Sequence, residues 1–208
     1  MGASKGTLTY TTYYVLEEPP AGFRDTFLEA VSRHSFRDID IEGGKDRSIG
    51  WVALGEPFTT ELTWDKVFLD PYVCVSLRED LIRIPGTAFQ AHYERREREF
   101  LKSEARDVIK KSERASLKAD VLLNLRLRAL ADIRIYDVVW NTVDGSMRLW
   151  THSKAIRETF EDIVRESWGL RIVPHAPYTV MMARGDADPE VAAQLLDLEP
   201  ADLVGVTE

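Results

Sequence analysis

Apolar and polar positions along the first part of the chain predict one strand, one helix and then several further strands. Residues 7–16 are rich in Thr, Tyr and Val, which favour strands, and Pro19 and Pro20 end that run. Apolar residues then return at helical spacing through residues 21–34. After a polar loop, short apolar runs separated by turn residues predict a meander of mainly antiparallel strands. These runs cover residues 48–54, 62–69, 72–77 and 81–84.

Residues 85–131 predict a helical arm inserted between strands. After a turn at Pro85, the aromatic residues Phe89, Tyr93 and Phe100 recur at spacings that place them on one face of a helix. The opposite face of that helix carries a basic stripe. Its members are Arg95, Arg98, Lys102 and Arg106.

A second helix is predicted after a break near Lys110 and Lys111, with Ser112 as its N-cap. Two antiparallel helices joined by a short connection are the simplest packing of such a pair. The second helix carries more apolar residues than one face can bury, so we expect the protein to form a homodimer. These residues are Leu117, Val121, Leu122, Leu123, Leu125, Leu127 and Leu130.

The part of the chain after the arm predicts a hairpin, a helix and a strand. Residues 143–145 are a hairpin turn signal. Ser153 is the expected N-cap of a helix that Gly169 ends, and residues 170–173 resume as a strand. Together the elements predict an α+β fold, with a mostly antiparallel sheet body, packed helices and the inserted hairpin arm. The strands of the hairpin are expected at residues 133–141 and 146–151.

The chain divides by composition into a body, an arm and a tail. The body comprises residues 1–84 and 132–183, and its length allows one hydrophobic core. The arm comprises residues 85–131. The tail, residues 184–208, has one basic residue against seven acidic ones, and a short helix is predicted within it at residues 189–196.

Charge distinguishes the arm from the rest of the chain. The arm holds eleven Lys or Arg residues against seven Asp or Glu residues, whereas the net charge of the whole chain is -8. A positive arm on an acidic body suits contact with a polyanion such as a nucleic acid. The plainer alternative is an ordinary solvated helix face, on which mixed charges are held by pairs one turn apart.

Composition and motifs argue against several other classes of protein. No apolar run approaches the ~20 residues of a membrane span, and residues 1–6 lack a signal-peptide core, so we expect a cytoplasmic protein. Cys74 is the only cysteine, which excludes an internal disulfide, and its apolar surroundings favour a buried strand residue. The motifs of phosphate-binding loops, dinucleotide-binding folds and serine nucleophiles are absent, and no cofactor is expected.

Three acidic residues beside a lysine suggest a minority hypothesis, a metal-dependent nuclease. Asp38, Asp40 and Glu42 precede Lys45, and such a set can hold Mg²⁺ and stabilise a phosphoryl transition state. Alternating acids beside Gly43 and Gly44 are more often a solvated loop, so we do not expect an enzyme. The four histidines are scattered singly, which argues against a metal site. They are His34, His92, His152 and His175.

Five tryptophans offer surfaces on which bases could stack. Each lies within a predicted strand or on the apolar stripe of a predicted helix, so core positions are favoured for most of them. They are Trp51, Trp64, Trp140, Trp150 and Trp168.

Several short segments, taken in order, resemble the RdgC family of bacterial recombination-associated proteins. The likeness spans roughly residues 7–174, and it depends on the order and spacing of the segments rather than on one diagnostic motif. The segments are residues 50–52, 54–55, 73–78, 81–85, 111–113, 116–118, 121–122, 128–129, 142–145, 153–155 and 172–174.

This resemblance implies a DNA-binding protein without sequence specificity. Members of the family dimerise into a ring around duplex DNA and restrain RecA-driven recombination. The expected partners are therefore double-stranded DNA, with single-stranded DNA as an alternative, a second copy of the chain, and RecA, at a nucleoid location. A protein-interaction module that uses the arm to bind RecA or another protein is the alternative function. The family has at times carried an exonuclease label, which this sequence does not support.

The chain departs from the family pattern at the end of the arm. The family's Leu-Pro-Arg-Ala-Phe corresponds to residues 126–130 here, so Arg128 carries over as a DNA contact while the proline and the phenylalanine do not. Most of the family's C-terminal third, which helps to close the ring, has no counterpart in this sequence. No catalytic or metal-binding residue is assigned. The candidate nucleic-acid contacts are Arg95, Arg98, Lys102, Arg106, Lys110, Lys111, Arg114, Lys118, Arg126 and Arg128.

Overall fold

The computed structural model describes residues 2–3, 9–16, 22–179, 190 and 193–194. These residues include seven strands and five helices, and the fold is α+β, as predicted. The strands are β1 (Thr11–Val15), β2 (Arg47–Ala53), β3 (Phe68–Leu69), β4 (Tyr72–Leu81), β5 (Asp132–Asn141), β6 (Ser146–Leu149) and β7 (Ile172–Pro174). The helices are α1 (Phe23–Arg33), α2 (Trp64–Val67), α3 (Gly86–Ser103), α4 (Lys111–Arg128) and α5 (Lys154–Trp168).

The strands form one antiparallel sheet in the order β2-β4-β5-β6-β1-β7, with β3 also paired to β4. The central strands β4 and β5 pair along their whole length, from Tyr72 opposite Asn141 to Leu81 opposite Asp132. Helices α3 and α4 lie in the connection between these two strands. Both ends of the arm therefore leave the sheet at the same end of its two central strands.

One face of the sheet packs against α1 and α5 to form the hydrophobic core. The Trp168 ring stacks on Phe27 and on Trp51, with centroid separations of 5.1 and 5.0 Å. The Trp51 indole N–H donates to the buried hydroxyl of Ser167 at 2.9 Å, so the ring is held by a polar bond as well as by packing. The prediction that most tryptophans are core residues is confirmed. The buried ones are Trp51, Trp140 and Trp168.

Strand β4 differs from the prediction, because residues 72–77 and 81–84 were expected to be separate strands and a single strand spans Tyr72–Leu81. The charged residues between them resemble a turn but are paired within the sheet. Arg78 lies 2.6 Å from Asp80, and Glu79 lies 2.7 Å from Arg47 on β2. Because these buried charges have partners, they do not have to reach solvent, and the strand continues through them.

The predicted strand at residues 62–69 is also wrong. Its central part is helix α2, and only Phe68–Leu69 is extended. Asp65 occupies the first turn, where a negative charge favours a helix, and Val67 is fully buried at its end. Residues 7–8 of the first predicted strand and most of the tail, including the greater part of the helix expected at residues 189–196, lie outside the described residues.

The elements after the arm follow the prediction closely. The hairpin of β5 and β6 turns at Gly145, whose φ of 71° lies in the left-handed region that favours glycine. Helix α5 has Ser153 at its N-cap position, although the serine side chain makes no capping hydrogen bond, and ends at Gly169 with a φ of 68°. Cys74 is buried in β4, and burial, followed by the charge of Asp137, raises the pKa of its thiol.

Candidate nucleic-acid interface

The arm is a pair of packed helices with an apolar cluster separate from the main core. Tyr93 of α3 and Leu117 and Val121 of α4 are buried between the helices, together with Ile109 from the connection. Phe89 and Phe100 pack against the same cluster, which confirms the predicted apolar face of the first helix. The polar sides of both helices are consequently turned toward solvent.

The connection between the helices changes the position expected for Arg106. Helix α3 ends at Ser103, and Ala105 has a φ of 49°, so the basic stripe does not continue to Arg106. The guanidinium of Arg106 instead lies 3.2 Å from each of the carboxylates of Glu104 and Glu113. The prediction that Arg106 belongs to the basic stripe of the helix is wrong, because the helix stops before reaching it and two acids pair with its charge.

Helix α4 begins earlier than predicted, with Lys110 rather than Ser112 at its N-cap. The backbone N–H of Lys110 donates to the Glu113 carboxylate at 2.9 Å, and Glu113 is the third residue of the helix. This bond and the neighbouring Arg106 hold the pKa of Glu113 below its ordinary value. Glu113 therefore fixes both the start of α4 and the connection before it.

Arg126, near the end of α4, is one of two candidate residues that are not fully exposed, Arg106 being the other. Its guanidinium lies 3.8 Å from Asp46, just before β2, and so links the arm to the body. The predicted role of Arg126 as a DNA contact therefore has to compete with a pairing at the root of the arm.

Eight candidate basic residues are exposed on the arm, and two of these are paired along or between the helices. Arg95 lies 3.6 Å from Glu99, and Arg114 lies 3.6 Å from Glu97. Exposed pairs of this kind are weak and open readily to another anion. The other six form no ion pair among the described residues. They are Arg98, Lys102, Lys110, Lys111, Lys118 and Arg128.

These basic side chains lie along both helices of the arm. Arg98 and Lys102 are one turn apart on α3 and therefore share a side of that helix. Lys111, Arg114 and Lys118 recur at steps of three and four on α4 and share a side of it. The Lys118 ammonium lies 5.3 Å from the centre of the Tyr93 ring, which holds its stem against the cluster.

A cleft of about 420 Å³ lies between the two helices of the arm. Arg95, Arg96 and Arg128 bring positive charge to its walls, opposed by Glu99 and Asp120. Arg96 was not among the residues predicted from the sequence, because it lies off the stripe that begins at Arg95. Arg96 is three residues before Glu99, so the two side chains share one side of α3, and Glu99 is also in the cleft wall. This spacing is the sequence signal for the position of Arg96.

No protein-family model matches the chain, and no curated protein sequence matches it. The likeness to RdgC therefore stays a prediction from the order of its segments. The described part of the chain contains no helix that is both long and apolar enough to cross a membrane.

The acidic loop behind the nuclease hypothesis forms a turn before β2. The Asp40 carboxylate accepts a hydrogen bond from the backbone N–H of Gly43 at 2.9 Å, and the Asp40 carbonyl accepts one from Lys45 at 3.0 Å. Among residues 2–3, 9–16, 22–179, 190 and 193–194, no three His, Cys, Asp or Glu side chains are grouped so that they could hold a metal ion. The observed role of Asp40 is to close this turn.

Proposed function

We propose that this protein binds double-stranded DNA without sequence preference through its arm, and that it modulates RecA-dependent recombination or replication-fork repair. One observation carries the DNA-binding proposal, namely the six exposed basic side chains of the arm that form no ion pair among the described residues. The arm has a positive net charge within a chain whose net charge is -8. The role in recombination comes from the resemblance to RdgC.

Contact with the phosphate backbone is the mode of binding that these residues favour. Lysine and arginine side chains neutralise phosphates and release the counterions condensed on DNA, which gives affinity that falls steeply with salt. Contacts to phosphate position a protein on the duplex but do not read its sequence. Since both ends of the arm start from the sheet centre and Arg126 pairs with Asp46 at its root, the arm has a fixed base from which to reach the duplex.

A second candidate function is association with protein, and an exposed leucine row supports it. Leu123 and Leu127 of α4 are 40% and 54% exposed, and Leu130 just beyond the helix is 95% exposed. Exposed apolar rows of this kind mark contact surfaces. We propose that the leucine row, Leu123, Leu127 and Leu130, joins two copies of the chain in a homodimer, with RecA as the alternative partner.

Binding to labelled duplexes of unrelated sequence tests the DNA proposal. Wild-type protein should bind all of them with similar affinity, and reversal of the arm charges should remove the binding. Failure of the wild type to bind at low salt would favour the protein-interaction candidate.

A further inference from the structure

A group of aromatic and basic side chains lies on the face of the sheet opposite α1 and α5. In β1 and β6, Tyr13, Met147 and Leu149 point into the core and are fully buried. Strand side chains alternate between faces, so Tyr14 and Arg148 point to the opposite side. Tyr10 just before β1 and Trp150 just after β6 continue this alternation.

The rings on this face form two pairs. Tyr10 and Trp150 have centroids 5.3 Å apart, and the Arg148 guanidinium lies 5.6 Å from the centre of the Tyr10 ring. Tyr14 meets His175, which follows β7, edge to face at 4.8 Å. Because Tyr10 and Tyr14 are four residues apart along an extended chain, their Cα atoms are about 13 Å apart.

An exposed arginine on this face can pair with an anionic group of a ligand. Arg148 and His175 are exposed, and Arg148 forms no ion pair among the described residues. The acidic residue nearest to Arg148 in the strand register is Asp137 on β5, which is only 7% exposed. Its carboxylate accepts hydrogen bonds from the Ser76 hydroxyl at 2.7 Å and from the Ala3 backbone N–H at 2.6 Å.

We propose that this aromatic face, defined by Tyr10, Tyr14, Arg148, Trp150 and His175, binds single-stranded nucleic acid. Unpaired bases stack on aromatic rings, and an arginine beside the rings pairs with the phosphate between them. A duplex keeps the faces of its bases within its own stack and cannot use these rings. The aromatic face is thus a second site, separate from the arm proposed for double-stranded DNA.

The test uses the full chain with fluorescently labelled oligothymidylate and oligouridylate of about 16 nucleotides, and with a labelled duplex as a third probe. The variants are Arg148→Glu and Tyr10→Leu. Lys154→Glu is the matched control, because Lys154 is an exposed basic residue on α5, on the other side of the sheet. Fluorescence anisotropy measures each affinity, and thermal unfolding checks that each variant folds.

Each aromatic-face variant should bind the single strands about ten-fold more weakly and the duplex as the wild type does. Arg148→Glu should also reduce the slope of log K against log salt for single strands by about 0.7. Lys154→Glu should change neither affinity. DNA and RNA single strands can both make stacking and phosphate contacts, so this pattern of affinities with either oligomer supports the site. The oligomer that the wild type binds more tightly shows which kind of nucleic acid the site prefers.

Two results would overturn the aromatic face as a site. One is wild-type affinity for single strands in folded Arg148→Glu and Tyr10→Leu. The other is equal loss of single-strand and duplex binding, which would mean a general effect rather than a separate surface. Absence of duplex binding by the wild type would contradict only the role of the arm, because the single-strand measurements do not depend on it.

Discussion

The guanidinium of Arg106 lies 3.2 Å from the carboxylate of Glu113, and this contact joins the connection after α3 to the first turn of α4. Glu113 also accepts a hydrogen bond from the backbone N–H of Lys110. One carboxylate therefore sets the geometry between the two helices that carry the basic side chains. The surface proposed for DNA depends on this contact although neither residue needs to touch DNA.

The arm should be sensitive to acid through Glu113. The hydrogen bond from Lys110, and then the charge of Arg106, keep the pKa of Glu113 below its ordinary value of 4.5. A carboxyl whose pKa is lower in the folded state stabilises that state above its unfolded pKa, and this contribution is lost as the pH falls through the folded value.

We therefore expect the thermal midpoint of the wild type to decline below pH 4.5 more steeply than that of Glu113→Gln, which lacks the titrating group. Circular dichroism at helical wavelengths, measured across that pH range, follows the change. Parallel pH profiles for the two proteins would contradict the role given to Glu113.

Ser167 should contribute to stability through Trp51. The Ser167→Ala variant leaves the buried indole N–H of Trp51 without its acceptor, which costs roughly 1–3 kcal/mol of unfolding free energy. Urea denaturation measures this loss. Ser116→Ala, at an exposed serine on α4, is the matched control and should not lower the urea midpoint. Equal stability of the two variants would contradict a stabilising role for the hydrogen bond between Trp51 and Ser167.

The leucine row should mediate self-association. Replacing Leu127 and Leu130 by Gln removes exposed apolar surface without opening the core, so the double variant should sediment as a folded monomer. Val143→Gln is the control, because Val143 is 81% exposed but lies in the hairpin turn. Sedimentation velocity at micromolar concentration distinguishes the cases. A wild-type monomer, or a dimer that survives both leucine replacements, would contradict the proposal.

Local patterns predicted most of the fold, and long-range contacts account for the errors. The hairpin at residues 143–145 and helix α5 carry their own turn and cap signals, so the sequence alone was sufficient. Strand β4 was divided wrongly because the partner that stabilises Glu79 is Arg47, which is 32 residues away. Such pairing cannot be detected from periodicity.

The candidate site was predicted less completely than the fold. Arg106 was placed on a helical stripe because no glycine or proline marks the end of α3, and the left-handed residue there is Ala105. The aromatic face was not predicted at all. Tyr10 and Trp150 are far apart in sequence, and only the register of β1 with β6 brings them together.

Charge reversal on the arm is the test of duplex binding by the arm. The arm variant changes exposed residues that form no ion pair among the described residues, namely Arg98, Lys102, Lys111 and Arg128, to Glu. The control variant makes the same reversal at exposed residues of the body, namely Arg33, Lys66, Lys154 and Arg165.

Fluorescence anisotropy on two duplexes of unrelated sequence, at low and at moderate salt, gives the affinity and its salt slope. If about four phosphates are contacted per subunit, log K for the wild type should fall against log salt with a slope of roughly -4, for both sequences alike. We predict that the arm variant loses this binding and that the control variant keeps the wild-type slope. Wild-type affinity and slope in the folded arm variant would contradict it.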